Sequence, residues 1–388
     1  MALTRARLNW NARHRLGAAA LLAALMMVVI LGVAALALDI GYLFMNYSQL
    51  QSCSDSGSLA GAQVLVHDGL VKAVPEYTTA QANARSTAVT YASSNRVGAS
   101  LPSVDSNSSN DSGGDVVLGY MSDPSNPSAS LDFSNPLLFN AVQVRVRKHA
   151  DKNGLVESFF SRLWGNQGEA VAARATAVVS SSITGFKVTS ESGNSDLLPF
   201  GVKKTTWDAM IAGSGADAFK VDSTGAVVSG SDGILEMNMF PVDNGSSGNS
   251  GTVDIGNSNN STADLSRQIR YGVNSSDLAY IGGSLQLGSD GTVQLNGDTG
   301  ISAGIKDDLE SIKGRPRTIC LYTTVSGNGN NAMYTVVGFV GVRIMKVKLT
   351  GNPKYVTIQP AAVIDASAII GNTTNSSQYV YSNVRMVR

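Results

Sequence analysis

The feature that most limits what this chain can become is Leu16–Leu38, LGAAALLAALMMVVILGVAALAL, 23 residues without a charge, a proline or a strongly polar group. As a helix rising about 1.5 Å per residue it covers roughly 34 Å, against a bilayer hydrocarbon core about 30 Å thick. Its flanks are unequal in charge. Arg5, Arg7, Arg13 and Arg15 precede it, the first charges behind it are Asp39 and Asp55, and the first Lys or Arg after it is Lys72. The positive-inside rule then assigns residues 1–15 to the cytoplasm, 16–38 to a transmembrane helix and the rest to the far side of the membrane.

Two processing events compete with a permanent anchor. Ala35-Leu36-Ala37 is an A-x-A step that a signal peptidase recognises, but the apolar run before it is longer than the usual h-region. The Gly17-Ala18 step resembles the cut site of type IV pilins. Those proteins carry a Glu five residues into the mature helix, and here that position is Leu22. Both features favour an uncut span.

Beyond the span the composition points to short strands and many turns. The chain holds 40 Gly against 10 Phe, 12 Tyr and 3 Trp, and 43% of it is hydrophobic, enough for more than one packed region. Lys+Arg and Asp+Glu are both 29, so no basic footprint for nucleic acid exists. Cys53 and Cys320 form no C-x-x-C. An oxidising compartment would let them pair, but two separate buried thiols are the simpler expectation.

No proline occurs before Pro75, so the membrane helix is expected to continue outward as a stalk as far as His67. Ser52, Ser56 and Ala60, with Gly57 and Gly61, give it a small-residue face suited either to another helix or to the chain's own domain. A second helix is expected over Thr78–Ser94, then a mobile Ser/Asn/Gly/Asp loop over Ser93–Asp115. Ala141–Lys148 (AVQVRVRK) alternates apolar and polar residues as a half-buried strand does, and Val171–Val179 reads as a second strand. Between them Ser158–Trp164 (SFFSRLW) is expected to be a short helix or turn on the sheet edge, with Phe159, Phe160 and Trp164 plugging the core.

From Gly185 the pattern becomes hairpin-like, and a domain boundary is placed near 183–195. Gly288–Gly291 is expected to join Leu285–Leu287 to Thr292–Leu295, and Ser326–Asn331 to join Thr318–Val325 to Tyr334–Leu349. The last run, YTVVGFVGVRIMKVKL, is the candidate central strand of a β-rich domain. Asp243–Thr262 reads as a Ser/Asn/Gly loop.

Catalysis finds little support. The three His are His14, His67 and His149, with no H-E-x-x-H among them, and no G-x-S-x-G elbow is present. Gly213–Ala218 and Gly327–Ala332 each fit a loose G-x-G-x-x-A, but the second leads into a strand-like run and the first has no strand before it, so neither is a dinucleotide loop. Asp55-Ser56-Gly57-Ser58 lacks the serine that a D-x-S-x-S metal site needs. Asp232 and Asp290 lie in Asp-Gly turns without the other ligands of a calcium loop. N-x-[ST] matches such as Asn260 and Asn372 are what Asn/Ser-rich loops produce by chance. No catalytic, cofactor-binding or metal residue is nominated.

Arg13–Leu65 resembles the N-terminal segment of TadE/TadG-like Flp (tight adherence) pilus-assembly proteins. The likeness is carried by Arg and Gly before the span, then Ala37-Leu38-Asp39-Ile40-Gly41-Tyr42, the Leu50-Gln51 pair and Leu59-Ala60-Gly61-Ala62. Asp55 also matches, while Cys53, Ser54, Ser56, Gly57 and Ser58 stand where the family usually has alanines. Val142–Val179, Leu198–Gly201 and the YTVVGFVGVRIM strand are similar to later parts of such proteins.

The resemblance implies a TadG-like inner-membrane component of a pilus system, with a periplasmic domain and no chemistry of its own. The expectation is therefore an α+β protein: cytoplasmic 1–15, transmembrane 16–38, a stalk helix with a mixed α/β region over 39–184, and a β-rich periplasmic domain over 185–388. Its partners are other pilus-assembly or pilin-like membrane proteins and the bilayer, with no nucleic acid, no small-molecule substrate and no cofactor. A processed pseudopilin or surface adhesin is the alternative, and a periplasmic hydrolase a more distant one.

Overall fold

The structure, a computed structural model, describes residues 2–72, 74–124, 126, 128–240, 251–256, 261–327, 329–371 and 375–387. Most of the expected Asp243–Thr262 loop, the Asn260 and Asn372 sites, and the side chains of the four leading arginines and Trp164 lie outside the described residues. The class is α+β, a long apolar helix followed by further helices and a strand-rich region that contains a barrel.

Helix α1 runs over Ala2–Val64 without a break. Alanine and leucine dominate its apolar part, and the absence of proline lets the backbone ladder continue past the apolar run. It stops three residues short of the expected end. His67 has extended backbone angles, and its Nδ1 accepts a hydrogen bond from Gly69 N at 3.0 Å to cap the 3-10 turn Asp68–Val71. Helix α2 covers Tyr77–Ala92, and Ala80, Ala84, Ala88 and Ala92 form one buried stripe at four-residue spacing.

The described chain divides into two compact units that alternate in sequence. The first is Met1–Ser58, Ala88–Val117 and Gln143–Ala175; the second is Leu59–Thr87, Leu118–Val142 and Thr176–Arg388. A four-stranded sheet is ordered β1 (Val116–Gly119), β2 (Ala141–Lys148), β3 (Val171–Val178), Arg385–Met386. In β2 the expected alternation holds from Val144 onward, but Gln143 is buried as well.

In the first unit the Ser93–Asp115 segment is irregular yet built, against the expectation of a mobile loop. Asn107, at φ 50°, donates from Nδ2 to Asp111 O and Val116 O, and its Oδ1 accepts from Asp111 N. Asp115 accepts from Asp105 N at 2.9 Å and pairs with Lys152. Asn and Asp side chains here replace the ladder bonds that a polar, glycine-rich backbone lacks.

The second unit is organised around β4 (Leu197–Lys203), β5 (Met237–Phe240), β6 (Thr252–Val253), β7 (Val293–Asp298), β8 (Pro316–Ser326), β9 (Ala332–Lys348) and β10 (Tyr355–Pro360). Their order is β5-β10-β9-β7-β6-β4-β8, and β9 also pairs with β8. That pairing closes β9-β7-β6-β4-β8 into a ring. β9 achieves it by length: Ala332–Val336 pairs with β7, Val342–Lys348 with β10, and β8 follows its other edge from Met333 to Arg343. Closure removes unpaired edges within the ring, while β5, paired only with β10, ends the branch outside it.

Both faces are buried along β4 and in the middle of β8 and β9, whereas β7 alternates buried Leu295 with exposed Gln294 and Asn296. Leu198, Phe200, Ile319, Leu321, Val340 and Val342 pack in one cluster with Trp207, Leu265 and Leu309. Leu197, Cys320, Tyr322, Tyr334, Val336 and Phe339 pack in another with Ile183 and Phe186. Two-sided burial is why β9 reads as a nearly continuous apolar run. The expected hairpin across Ser326–Asn331 is present, with Ser326 opposite Met333. The one across Gly288–Gly291 is not: the turn forms, Gly288 N bonding Thr292 O at 2.7 Å, but Leu285–Gln286 pairs with Phe186–Gly185 while β7 pairs with β9. Turn chemistry alone does not fix which strand a neighbour joins.

Candidate membrane-exit site

Along α1 the apolar run turns its side chains outward on every side. Leu21, Leu25, Val29, Val33 and Leu38 are all more than half exposed, and the 18-residue window of greatest hydropathy has none of its residues buried by the rest of the chain. A helix apolar around its whole circumference and covered by nothing of its own suits a hydrocarbon environment.

The first charge after the run is Asp39, and the structure gives its carboxylate a specific task. Oδ1 accepts from Phe159 N at 2.8 Å, Oδ2 from Ser161 N at 2.9 Å, and both oxygens lie 3.2 Å from Phe160 N. These amides open the 3-10 turn Ser161–Trp164, which ends at Gly165 with φ 88°. The first amides of a helical turn have no partner within it, so a carboxylate from a remote element supplies one. One turn further out, the Tyr42 ring meets Phe159 edge-on, centroids 5.0 Å apart.

The expectation that Phe159 and Phe160 plug the core is therefore wrong. Phe159 is 62% exposed and Phe160 37%, and Leu163 beside them is 78% exposed. The backbone of this turn is fastened to α1, and the side chains of Phe159, Phe160 and Leu163 lie outside.

Further along α1 the small-residue face is occupied by the chain itself. A Cβ on Gly57 would lie 2.8 Å from Ala92 Cβ and 2.9 Å from Ala88 O, so α2 approaches here as closely as glycine permits. Ser56 Oγ donates to Tyr91 O, Cys53 Sγ to Asn95 O, and Ser54 Oγ to Ala173 O. Gln51 Nε2 reaches both Asp55 Oδ1 and Arg174 O. Ser54 and Ser56 thus serve as hydrogen-bond donors to neighbouring backbone.

The remaining candidate groups are in structural use. Both cysteines are free and buried, and burial pushes the Cys320 thiol up to about 12. His149 contacts Asp151. Asp290 accepts from Thr292 N at 3.0 Å, and Asp232 from Ile234 N and Gln359 Nε2, each at 3.0 Å. Gly213–Ala218 follows a helix rather than a strand, the reverse of the order a dinucleotide loop needs. The arrangement at Asp39 is mechanical: it fixes a turn to the helix at the point where the helix ceases to be apolar. Sequence reading found Asp39 as a charge boundary but not as a clamp, because its partners are backbone amides some 120 positions away.

Residues 17–64 match a family model described as Flp pilus-assembly TadE/G-like, and residues 61–177 one described as Tad-like Flp pilus-assembly. No curated protein and no solved structure gives a match.

Proposed function

Starting from a chain that belongs to the Tad-like Flp pilus-assembly family and takes part in assembling such pili, we propose that it is an uncut, single-pass inner-membrane scaffold. In this reading residues 1–15 lie in the cytoplasm and 39–388 in the periplasm. The observation that carries it is the exposed apolar helix with four arginines on one side and, on the other, a carboxylate clamped to folded structure. The protein acts by holding and presenting its domains to other pilus-assembly or pilin-like membrane proteins rather than by catalysis. The burial of both cysteines and the engagement of Asp39, Asp232 and Asp290 in hydrogen bonds support that. The division of the folded part into 39–184 and 185–388 is a further part of this reading, set against compact units that interleave in sequence, and limited proteolysis tests it: fragments with ends near 184 are expected.

The deciding experiment is to shear pili from cells, separate them from membranes and measure the intact mass of this chain in each fraction. Full or Met-trimmed mass confined to membranes is expected. A shorter chain in the sheared fibres, beginning at Ala18 or Leu38, would overturn the scaffold and make it a pilus subunit or adhesin.

A further inference from the structure

We propose that the Phe159–Leu163 turn is a second, shallow membrane contact, seated in the headgroup and upper acyl layer of the leaflet from which α1 emerges. The inference rests on the anchored reading above. It follows from register. Leu38 is the last residue of the apolar run and Asp39 the next, only about 1.5 Å further along the axis. The Asp39 carboxylate holds Phe159 N, Phe160 N and Ser161 N within 2.8–3.2 Å, so the turn is at that same level. The interfacial zone extends several Å past the hydrocarbon edge, about 5–8 Å on each side. Whatever is clamped at Asp39 is inside it.

The side chains presented there suit that zone. Phe159, Phe160 and Leu163 are exposed apolar groups on a short turn, and α1 adds exposed Ile40 and Phe44 within about 9 Å of Leu38 along the axis. Exposed rings and leucines in such a cluster are costly in water and favourable at the boundary of headgroup and chain. Asp39 fits as well. A bare carboxylate at the hydrocarbon edge is expensive, but one accepting three backbone N–H bonds has exchanged water for protein donors, and those amides are satisfied in return.

Lipid is the favoured occupant, because the patch is continuous with the exposed apolar surface of α1. Charge does not drive the contact. Arg162 pairs with Glu157 at 3.9 Å, and exposed Glu169 lies nearby, so the rim carries no cationic excess to attract acidic headgroups. The contact is apolar and therefore insensitive to salt and to headgroup charge.

The test uses the full chain in phosphatidylcholine vesicles, labelled with an environment-sensitive fluorophore at Leu163→Cys and, separately, at Val29→Cys. The native thiols are buried, so the unlabelled background is checked on the unsubstituted protein. Nitroxide lipids with the spin at the headgroup, the shallow acyl chain or the deep acyl chain report depth. At Leu163 the headgroup and shallow nitroxides should quench about twofold more than the deep one, at low and at molar salt alike. A Leu163 probe quenched fully by iodide and not by lipid overturns the proposal, as does one shielded from both, which would mean a protein partner or a second copy covers the turn. Deep quenching at Val29 with either of those results at Leu163 leaves the anchor intact and removes only this contact. Loss of deep quenching at Val29 removes the anchored reading itself.

Discussion

The stretch that the family models match, residues 17–177, and the barrel-bearing stretch after it hold themselves together by different means. The matched stretch is pinned. Small residues let α2 approach α1 at Gly57, and single polar groups such as Ser54, Ser56 and Asp39 bind backbone at fixed points. The later stretch is filled: its strands contribute large side chains to two buried clusters. A pinned structure depends on particular residues at particular places, whereas a filled one accepts many sequences of the right volume.

The largest effect is expected at Gly341 in β9. A Cβ there would lie 2.2 Å from Ala361 O and 2.6 Å from Tyr379 O, both backbone atoms with little room to move. Gly341→Val should destabilise the second unit by about 3 kcal/mol or more, read as a lowered midpoint in urea. A neutral result would mean that the barrel is looser than its packing implies. Gly57→Leu tests the pinned side, where the clash is with Ala92 and Ala88. It should cost about 1–3 kcal/mol and weaken exchange protection in α2 while leaving β8 and β9 amides protected. An equal loss in the barrel strands would abolish the distinction.

A milder probe lies at Asp254 beside β6. Burial first, and then the charge of Asp264, raises its carboxyl to about 6. Because this value exceeds the ordinary carboxylate value, the fold favours the neutral form. Its contribution is greatest below about pH 4, declines as pH rises through about 6, and stays low above. Asp254→Asn should flatten that decline and stabilise the protein at pH 7.5 by about 1 kcal/mol after solvent screening, a rise in Tm of about 2–4 °C. An unchanged pH profile would count against the burial. The smallest expected effect is the most local: Asp39→Asn should speed hydrogen exchange at Phe159, Phe160 and Ser161 with little change in global Tm, and unchanged exchange would show that the clamp does not hold the turn.

Much of this was legible from residue order wherever a regular period governs. The helix over the apolar run and the long β9 follow from unbroken apolar stretches, the stalk to within three residues of its end from the position of prolines, and α2 and β2 from three- to four-residue and two-residue spacing. The misreadings fall where tertiary partners decide. Leu285–Gln286 and β7 flank a well-formed turn yet join different sheets. Phe159 and Phe160 have the composition of core residues, but amides bound by Asp39 hold their turn at the surface. The Ser93–Asp115 loop looked unstructured because Asn107 and Asp115 hold it through side chain–backbone bonds that leave no periodic trace.

The uninterrupted course of α1 has a further consequence. Its 63 residues make a single rod of about 95 Å, with no proline or unwound turn where it passes Asp39. A shaft without a joint does not absorb a twist or an axial push applied at one end. Rotation or piston movement imposed on the arginine-flanked end would be passed along one continuous hydrogen-bonded helix toward Asp39 and the clamped turn.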